Sequence, residues 1–597
     1  MFANRNLITK VFVTAIVLLQ VWLIYSQQLF GDEAFYWLES QYLGLSYSEL
    51  PGWTAWMIRI GTNIFGNNYF AVRIVSYLGF FSVFIAIRLI NLQLLKSSEQ
   101  KYLVFLSLAI PLFALIAVMA LPDIWLVVFV IWVTYFLIKA VKLKQTRDWV
   151  FVGVLLACGL NVHVRMWIWM FVAGVSFLIF FYFQKDIIRP ALLISFPLAL
   201  LGIVPILIFN TQHEFALFVF QFGSRHPWQF QLSNFSFLLS QFVVITPIVL
   251  YLWINNIAKI RLFNKTEPVV GWIILTAFIH WVLYVVMSLF ADGLRTTVHW
   301  ALISYVPVIA ISGLLINTSQ SIIKWSFITG GLASISLLIA LSINNGKKTN
   351  VQARILDNSV GWYELSIAMK RIQKQQNVDN IIADYFMTAA ELAFELNKAN
   401  SIKVLPHAKN IKHGRQKQLD IMGLLIKKPD VYTVNSLLVV EDSTLKLQEK
   451  AHYYTQLCDY FNHFKYLETI NISNSNKQFH VFNVNQSKLN VCDIPPLFYV
   501  YHKSDKDEVE ISGWVIKHQS GIKSLSIEME GNSIPIELFQ LENKGIENQF
   551  PEINDPNEPN NGFEIIINKS QIIKNKFNIM AIGNDNKKYL SQTYYLE

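Results

Sequence analysis

Residues 8–37 read ITKVFVTAIVLLQVWLIYSQQLFGDEAFYW: one lysine, an apolar run from Val11 to Tyr25, then Asp32 and Glu33 in an aromatic setting. Roughly 20 apolar residues cross a bilayer as a helix, and Lys and Arg are retained on the cytoplasmic side. Lys10 therefore marks an inner end of this segment and Asp32 an outer one. Ser26-Gln27-Gln28 stands where a cleaved leader would carry a small-residue cleavage site, so the run predicts a retained signal anchor.

Similar apolar runs follow at 70–90, 102–120, 124–138, 149–164, 166–183, 190–209, 235–253, 268–290, 299–316 and 325–343. With the first run, at 8–29, they predict about eleven spans, of which 124–138 and 149–164 are short. Lys10, then Lys96 and Lys101, then Lys139, Lys142, Lys144 and Arg147, then Lys185 and Arg189, then Lys259, Arg261 and Lys265, and last Lys324 fall in alternate loops. This places the N-terminus in the cytoplasm and, after an odd number of spans, everything beyond Ile343 outside.

The opposite loops and span edges carry Asp32, Glu33, Glu39, Glu49, Asp123, His163, His213, Glu214, His226, Asp292 and His299. Their basic residues are Arg59, Arg73, Arg165, Arg225 and Arg295, with no lysine. A guanidinium grips phosphate in a bidentate fork where an ammonium is a point charge, so this set suits an anionic lipid headgroup. Selection for positive charge inside would also remove outer lysines, and explains any single arginine equally well.

The chain after 345 has a soluble composition, rich in Asn, Lys, Ile and Glu and without a span-length apolar run. Helical patterns at Val360–Lys374 and Met387–Asn397 alternate with β-like runs at Ile402–Leu405, Leu437–Val440 and Gln478–Val484, which predicts an α/β domain over 346–490. Alternating runs at Glu508–Ile516, Lys523–Met529 and Phe563–Ile567 predict a β-sandwich over 491–597, with Asn554–Asn561 as a polar loop. The membrane domain is 1–345. Net charge is +9, but the basic residues are spread through inner loops and this tail, so they give no nucleic-acid signal. Cys458 and Cys492 could pair in an oxidising compartment, or remain two free buried thiols.

The absence of a P-loop argues against an ATP-driven transporter subunit, and no H-E-x-x-H, G-x-S-x-G or C-x-x-C is present. Ion-coupled transporters usually need mid-membrane charge, which these spans almost lack. His280 is the chief exception, and a lone histidine in an apolar span more often bonds a neighbouring helix.

The chemistry gathers in the first outer loop, 31–69, with amphipathic stretches at Ala34–Tyr42 and Trp53–Phe65 suited to the interface. Gly31-Asp32-Glu33-Ala34-Phe35-Tyr36-Trp37, Leu45-Ser46-Tyr47, Pro51 to Trp56, Phe65-Gly66 and Val72-Arg73 resemble the polyprenyl-phosphate-sugar-dependent GT-C glycosyltransferases. That group contains the protein O-mannosyltransferases and the aminoarabinose transferase of lipid A. Leu121-Pro122-Asp123 resembles the family's second acidic loop, Gly159 to Arg165 its segment ending in a basic residue, and Asn210 to Ala216 its N-x-Q-H run. The resemblance covers roughly residues 8–320. One departure is Glu49-Leu50-Pro51-Gly52, where the family has an acidic residue, His, Pro and Pro, so no role of that histidine carries over.

The resemblance implies a polytopic α-helical membrane protein of GT-C type with an extracytoplasmic α/β plus β-sandwich region. It implies transfer of one sugar from an undecaprenyl-phosphate-type donor at the outer face of a bacterial inner membrane, with a lipid A-like glycolipid as leading acceptor. A protein acceptor and a non-catalytic lipid-linked-sugar flippase or transporter are the alternatives. The physical reading of the residues points to the same reaction class. A carboxylate can deprotonate a hydroxyl acceptor or stabilise oxocarbenium-like charge, and arginine or a divalent metal can neutralise the departing phosphate. Asp32 and Asp123 are the catalytic candidates. Glu33, Tyr36, Glu49, Arg59, Arg73, Arg165, Gln212, Arg225 and Arg295 are the candidates for substrate binding. These residues require no cofactor but are compatible with a divalent metal, with His213, Glu214 and His299 as its candidate ligands, although interfacial histidines commonly bond only the backbone. The bland account of Asp32 is an N-cap for the helix that follows it.

Overall fold

The computed structural model describes residues 2–94, 98–258, 267–291, 298–315, 320–343, 357–427, 434–472, 475–486, 490–505, 507–530, 532–543 and 545–596. The chain forms two compact units. One comprises residues 1–345 with 410–418, the other 346–409 with 419–597.

The first unit is helical. Among the described residues, seven helices are long and apolar enough to cross a membrane: Leu7–Ser26, Tyr69–Leu94, Pro122–Leu143, Val164–Phe181, Lys185–Gln212, Pro268–Ser288 and Ser321–Ile343. An eighth candidate, Leu232–Ile245 with Pro247–Ala258, is bent by 105° at its break. Thr246 there takes φ 66°, and Pro247, which has no N–H to give, begins the second arm. The remaining predicted runs fall on shorter pieces: a 3-10 stretch over Ser98–Ala109 leading into Pro111–Ile116, then Thr146–Leu160, then Leu302–Ala310 and Ser312–Leu315. The apolar runs are thus mainly helical among the described residues, and seven or eight of them reach spanning length.

The two ends of Pro122–Leu143 show the charge segregation directly. Pro122 opens the helix with Asp123 in the first turn, and Lys144 closes it in the left-handed region at φ 52°. Lys139 pairs with Asp148 at 3.0 Å and Lys144 with Asp186 at 3.0 Å at the closing end. Twenty-two residues of helix rise about 33 Å, so this basic cluster and Asp123 stand a membrane's thickness apart. Helices Trp53–Phe65 and Tyr69–Leu94 meet at Gly61, where a Cβ would lie 2.1 Å from the Ala71 carbonyl oxygen. Only glycine permits that approach, and it fixes the outer loop against the bundle.

Among its described residues the second unit holds three sheets. Strands β1 (Asn380–Ala383), β2 (Ile402–Val404), β3 (Ser436–Glu441), β4 (His463–Asn471), β5 (Gln478–Asn485) and β6 (Val491–Cys492) form a mixed sheet ordered β2-β1-β3-β5-β4-β6. The helices at Trp362–Gln376 and Phe386–Glu395 lie within a few residues of their predicted ranges. Strands β7 (Leu497–Ser504), β8 (Glu508–Ile516), β9 (Ile522–Met529), β10 (Asn532–Pro535), β11 (Leu538–Glu542), β12 (Asn560–Asn568), β13 (Lys576–Gly583), β14 (Lys588–Leu590) and β15 (Tyr594–Tyr595) build two antiparallel sheets. Their orders are β11-β12-β8-β7 and β10-β9-β13-β14, with β15 on β13. One apolar core runs from Ile382 through Phe482 and Val515 to Leu596. Cys458 on the helix Leu447–Tyr460 is disulfide-bonded to Cys492 on β6.

Candidate active site

The site is built on the segment that follows the first span. Helix Gly31–Gln41 begins after Phe30, whose N–H is accepted by Glu33 Oε2 at 3.0 Å. Glu33, not Asp32, therefore satisfies the helix start, which removes the capping account of Asp32. The loop that follows is tied by Tyr47 N–H to Leu50 O at 3.0 Å, Tyr47 Oη to Glu39 O at 3.0 Å and Trp56 Nε1 to Gly44 O at 2.9 Å. It carries Glu49, which shares Arg415 with Asp32.

Glu33 and Arg73 need correction as substrate-binding candidates. Arg73 donates from Nε to Glu33 Oε1 at 2.9 Å and from Nη2 to Oε2 at 2.8 Å, and its other N–H groups go to carbonyls of Gln27 and Gln28. Glu33 also accepts the Ala120 N–H at 2.6 Å. Both side chains are buried and their hydrogen-bonding capacity is used within the protein. They staple three helices together and do not face a substrate.

Asp32 is different: its side chain is 36% exposed, and one oxygen accepts from Arg415 Nη2 at 2.8 Å. Arg415 Nε donates to Glu49 Oε2 at 2.7 Å, and the guanidinium lies 4.4 Å from the Phe35 ring centre and 5.8 Å from that of Tyr36. Burial pushes the Glu49 carboxyl up, against the pull of Arg415, and burial followed by the nearby Glu49 pushes Glu39 well above the carboxylate range. Arg415 belongs to the nine-residue segment 410–418 that groups with the helical unit. Ser48 N–H donates to Gln418 Oε1 at 2.9 Å, Ser48 Oγ to Gly414 O at 2.7 Å, and Lys417 pairs with Glu214 at 2.9 Å. Gly414 takes φ 73°, and a Cβ there would lie 2.6 Å from the Phe220 ring, so no other residue seats this arm as well.

A line of polar contacts continues from Glu49. Gln221 Nε2 donates to the Glu49 carbonyl, and Gln221 Oε1 accepts from Arg225 Nη1 at 2.6 Å. Arg225 Nη1 lies 3.5 Å from His163 Nε2. His163 Nδ1 accepts the Arg165 N–H at 3.0 Å, capping Val164–Phe181. Burial, then Arg165 and Arg225, hold this imidazole well below its ordinary pKa, so it is neutral. Arg165 Nη1 donates to Asp123 Oδ1 at 2.7 Å, and His299 Nε2 lies 3.4 Å from the same oxygen. Arg165 Nε is buried without a partner among the described residues.

The structure therefore brings Asp32, Glu49, Tyr36, Arg225, Arg165, Asp123 and His299 into one belt. Arg59 instead bonds Gln41 Oε1 at 3.0 Å, and Gln212 is exposed at the end of Val204–Gln212. His213 packs on the Phe209 ring at 4.6 Å. Asp292, Arg295 and the loop bearing Arg261 and Lys265 lie outside the described residues. His213 is on a phenylalanine, Glu214 on a lysine and His299 on Asp123, and no group of three potential ligands gathers among the described residues. Among the described residues His213, Glu214 and His299 therefore do not come together as one ligand set. Sequence reasoning missed Gln221 and Arg415. Arg415 sits among Lys409, Lys412 and Lys417, a run that reads as solvated surface.

Residues 50–209 match the profile of the dolichyl-phosphate-mannose-protein mannosyltransferase family, a stretch that includes Asp123 and Arg165 but begins after Asp32 and Glu49. The structure is similar to ArnT from Cupriavidus metallidurans in the apo state, with a TM-score of 0.55 at 12% identity over 79% of this chain and 97% of that one. The fold is GT-C. ArnT bound to undecaprenyl phosphate gives a TM-score of 0.54 at 12% identity, with the same coverage. No curated protein matches the sequence. The fold and the profile over 50–209 both point to glycosyltransferases of the GT-C fold.

Proposed function

We propose that this GT-C chain transfers a single sugar from a polyprenyl-phosphate donor to an acceptor at the outer face of the inner membrane. The observation that carries this reading is the line of contacts from Asp32 through Arg415, Glu49, Gln221, Arg225 and His163 to Arg165 and Asp123. It sets a partly open carboxylate at one end, and the half-buried Arg225 and buried Arg165 guanidinium groups toward the other. With a hydroxyl acceptor, Asp32 takes the proton as the acceptor oxygen bonds the anomeric carbon. The bond from that carbon to the phosphate oxygen breaks, and the phosphate leaves with the electron pair toward Arg165 and Arg225. A phosphate acceptor has no proton to lose, and Asp32 then orients the acceptor or an amino-sugar.

The ArnT solved with undecaprenyl phosphate supports a donor of that kind, and the leading acceptor, a lipid A-like glycolipid, rests on the motif resemblance of residues 31–73. The Cys458–Cys492 disulfide supports an oxidising compartment for the second unit. The test is transfer by the purified chain from synthetic polyprenyl-phosphate sugars to lipid A or to protein, with mass spectrometry of both acceptor classes from cells with and without the gene. A mass increment on lipid A that depends on the gene is expected. An increment confined to glycoproteins would replace the acceptor, and none on any envelope component would overturn the reading.

A further inference from the structure

A cavity of about 340 Å³ lies within the second unit, between the start of the helix Leu447–Tyr460, β5, β7 and the C-terminal residues near β15. Its polar wall is built from a buried network. Asp442 Oδ1 accepts from Tyr454 Oη at 2.8 Å and lies 3.5 Å from His480 Nε2, while Oδ2 holds Lys450 Nζ. His480 Nδ1 lies 2.9 Å from Thr469 Oγ1, and burial pushes the imidazole down to about 4, so it is neutral at physiological pH.

These groups state what the cavity can accept. Asp442 and Lys450 cancel each other's charge, so an anion such as phosphate finds no uncompensated cation. An apolar ligand would bury Lys450 and Gln478 without return. An ammonium carries three N–H donors, one of which Lys450 spends on Asp442. Gln478 Nε2 is spent on Asn471 Oδ1 at 2.8 Å, which leaves its carbonyl oxygen as an acceptor. Gln592 adds both kinds of group from an exposed position. Tyr499, 47% exposed, stacks on Trp514 with ring centres 5.8 Å apart and offers a flat apolar wall beside these polar groups. Alternating donors and acceptors, an aromatic face and no net charge match a ring that bears hydroxyls outward and C–H bonds on its face. The volume is at the low end of the roughly 300–1,000 Å³ of small-ligand sites, which suits one ring and not a long glycan.

We propose that this pocket binds a neutral sugar ring. Such binding would not require transfer at Asp32, and it can be measured without turnover. The probe is a panel of methyl hexosides and methyl N-acetylhexosaminides, followed by saturation-transfer NMR on the purified full chain in detergent. At least one glycoside is expected to bind. Tyr499→Ala and Gln592→Ala should each weaken it by about tenfold, the scale of one lost contact, with thermal unfolding unchanged. Asp32→Asn should leave binding as it is. No binding across the panel, or binding lost in Asp32→Asn and kept in both pocket variants, would overturn the proposal.

Discussion

At Asp32 the structure separates two roles that one residue type can play. Helix capping falls to Glu33, and Asp32 keeps an exposed oxygen beside its ion pair with Arg415. Asp32→Asn should therefore cost little stability, about 0–1 kcal/mol for a partly exposed pair, while turnover falls by about two orders of magnitude, the scale of a positioned acid-base group. Near-normal transfer by a variant with unchanged thermal unfolding would end the catalytic assignment. Arg165 asks for a gentler substitution. Arg165→Ala would strand the buried Asp123 carboxylate at a cost of about 3–5 kcal/mol, so loss of activity there would be uninformative. Arg165→Lys keeps the charge and loses the fork, and should weaken donor use by about 1–3 kcal/mol. Unchanged donor kinetics in that variant would hand the phosphate to Arg225.

Among elements, the arm 410–418 has the largest effect on how the site is understood. Two conditions seat it: the left-handed backbone of Gly414 against Phe220, and the guanidinium of Arg415 between Asp32 and Glu49. Gly414→Val meets both a backbone conformation and a ring it cannot tolerate. Its transfer activity should fall together with that of Arg415→Gln, while membrane insertion and the Cys458–Cys492 disulfide persist. Full activity in both variants would make the arm a bystander. The outer loop was legible in the sequence because its chemistry is local: Asp32, Glu49 and the aromatic positions Phe35 to Trp56 stand in one short stretch. Arg415 was illegible for the converse reason. It lies 366 residues from Glu49 in a lysine-rich stretch, and no periodicity or spacing encodes that meeting. Glu33 and Arg73 were read with the wrong task because charge and side of the membrane are visible in a sequence, whereas burial of a pair 40 residues apart is not.

For the whole molecule, Asp32 and the segment 410–418 belong to one unit and touch through Arg415, so both must lie in one compartment. The alternation of lysine-bearing loops predicts that compartment to be outside. Reporters fused after Lys144 should read cytoplasm, and those after His226 or at the C-terminus should read exterior. The thiols supply a check that needs no fusion. Cys158 lies in the helix Thr146–Leu160, and Cys458 and Cys492 are joined. Alkylation of unreduced cells should therefore leave the 458–492 pair unmodified, and prior reduction should expose two further thiols per chain. If both cysteines are alkylated without reduction and a C-terminal reporter reads cytoplasm, the second unit lies on the reducing side. The arm could not then meet an outward-facing Asp32, and the orientation on which the transfer reaction rests would have to be reversed.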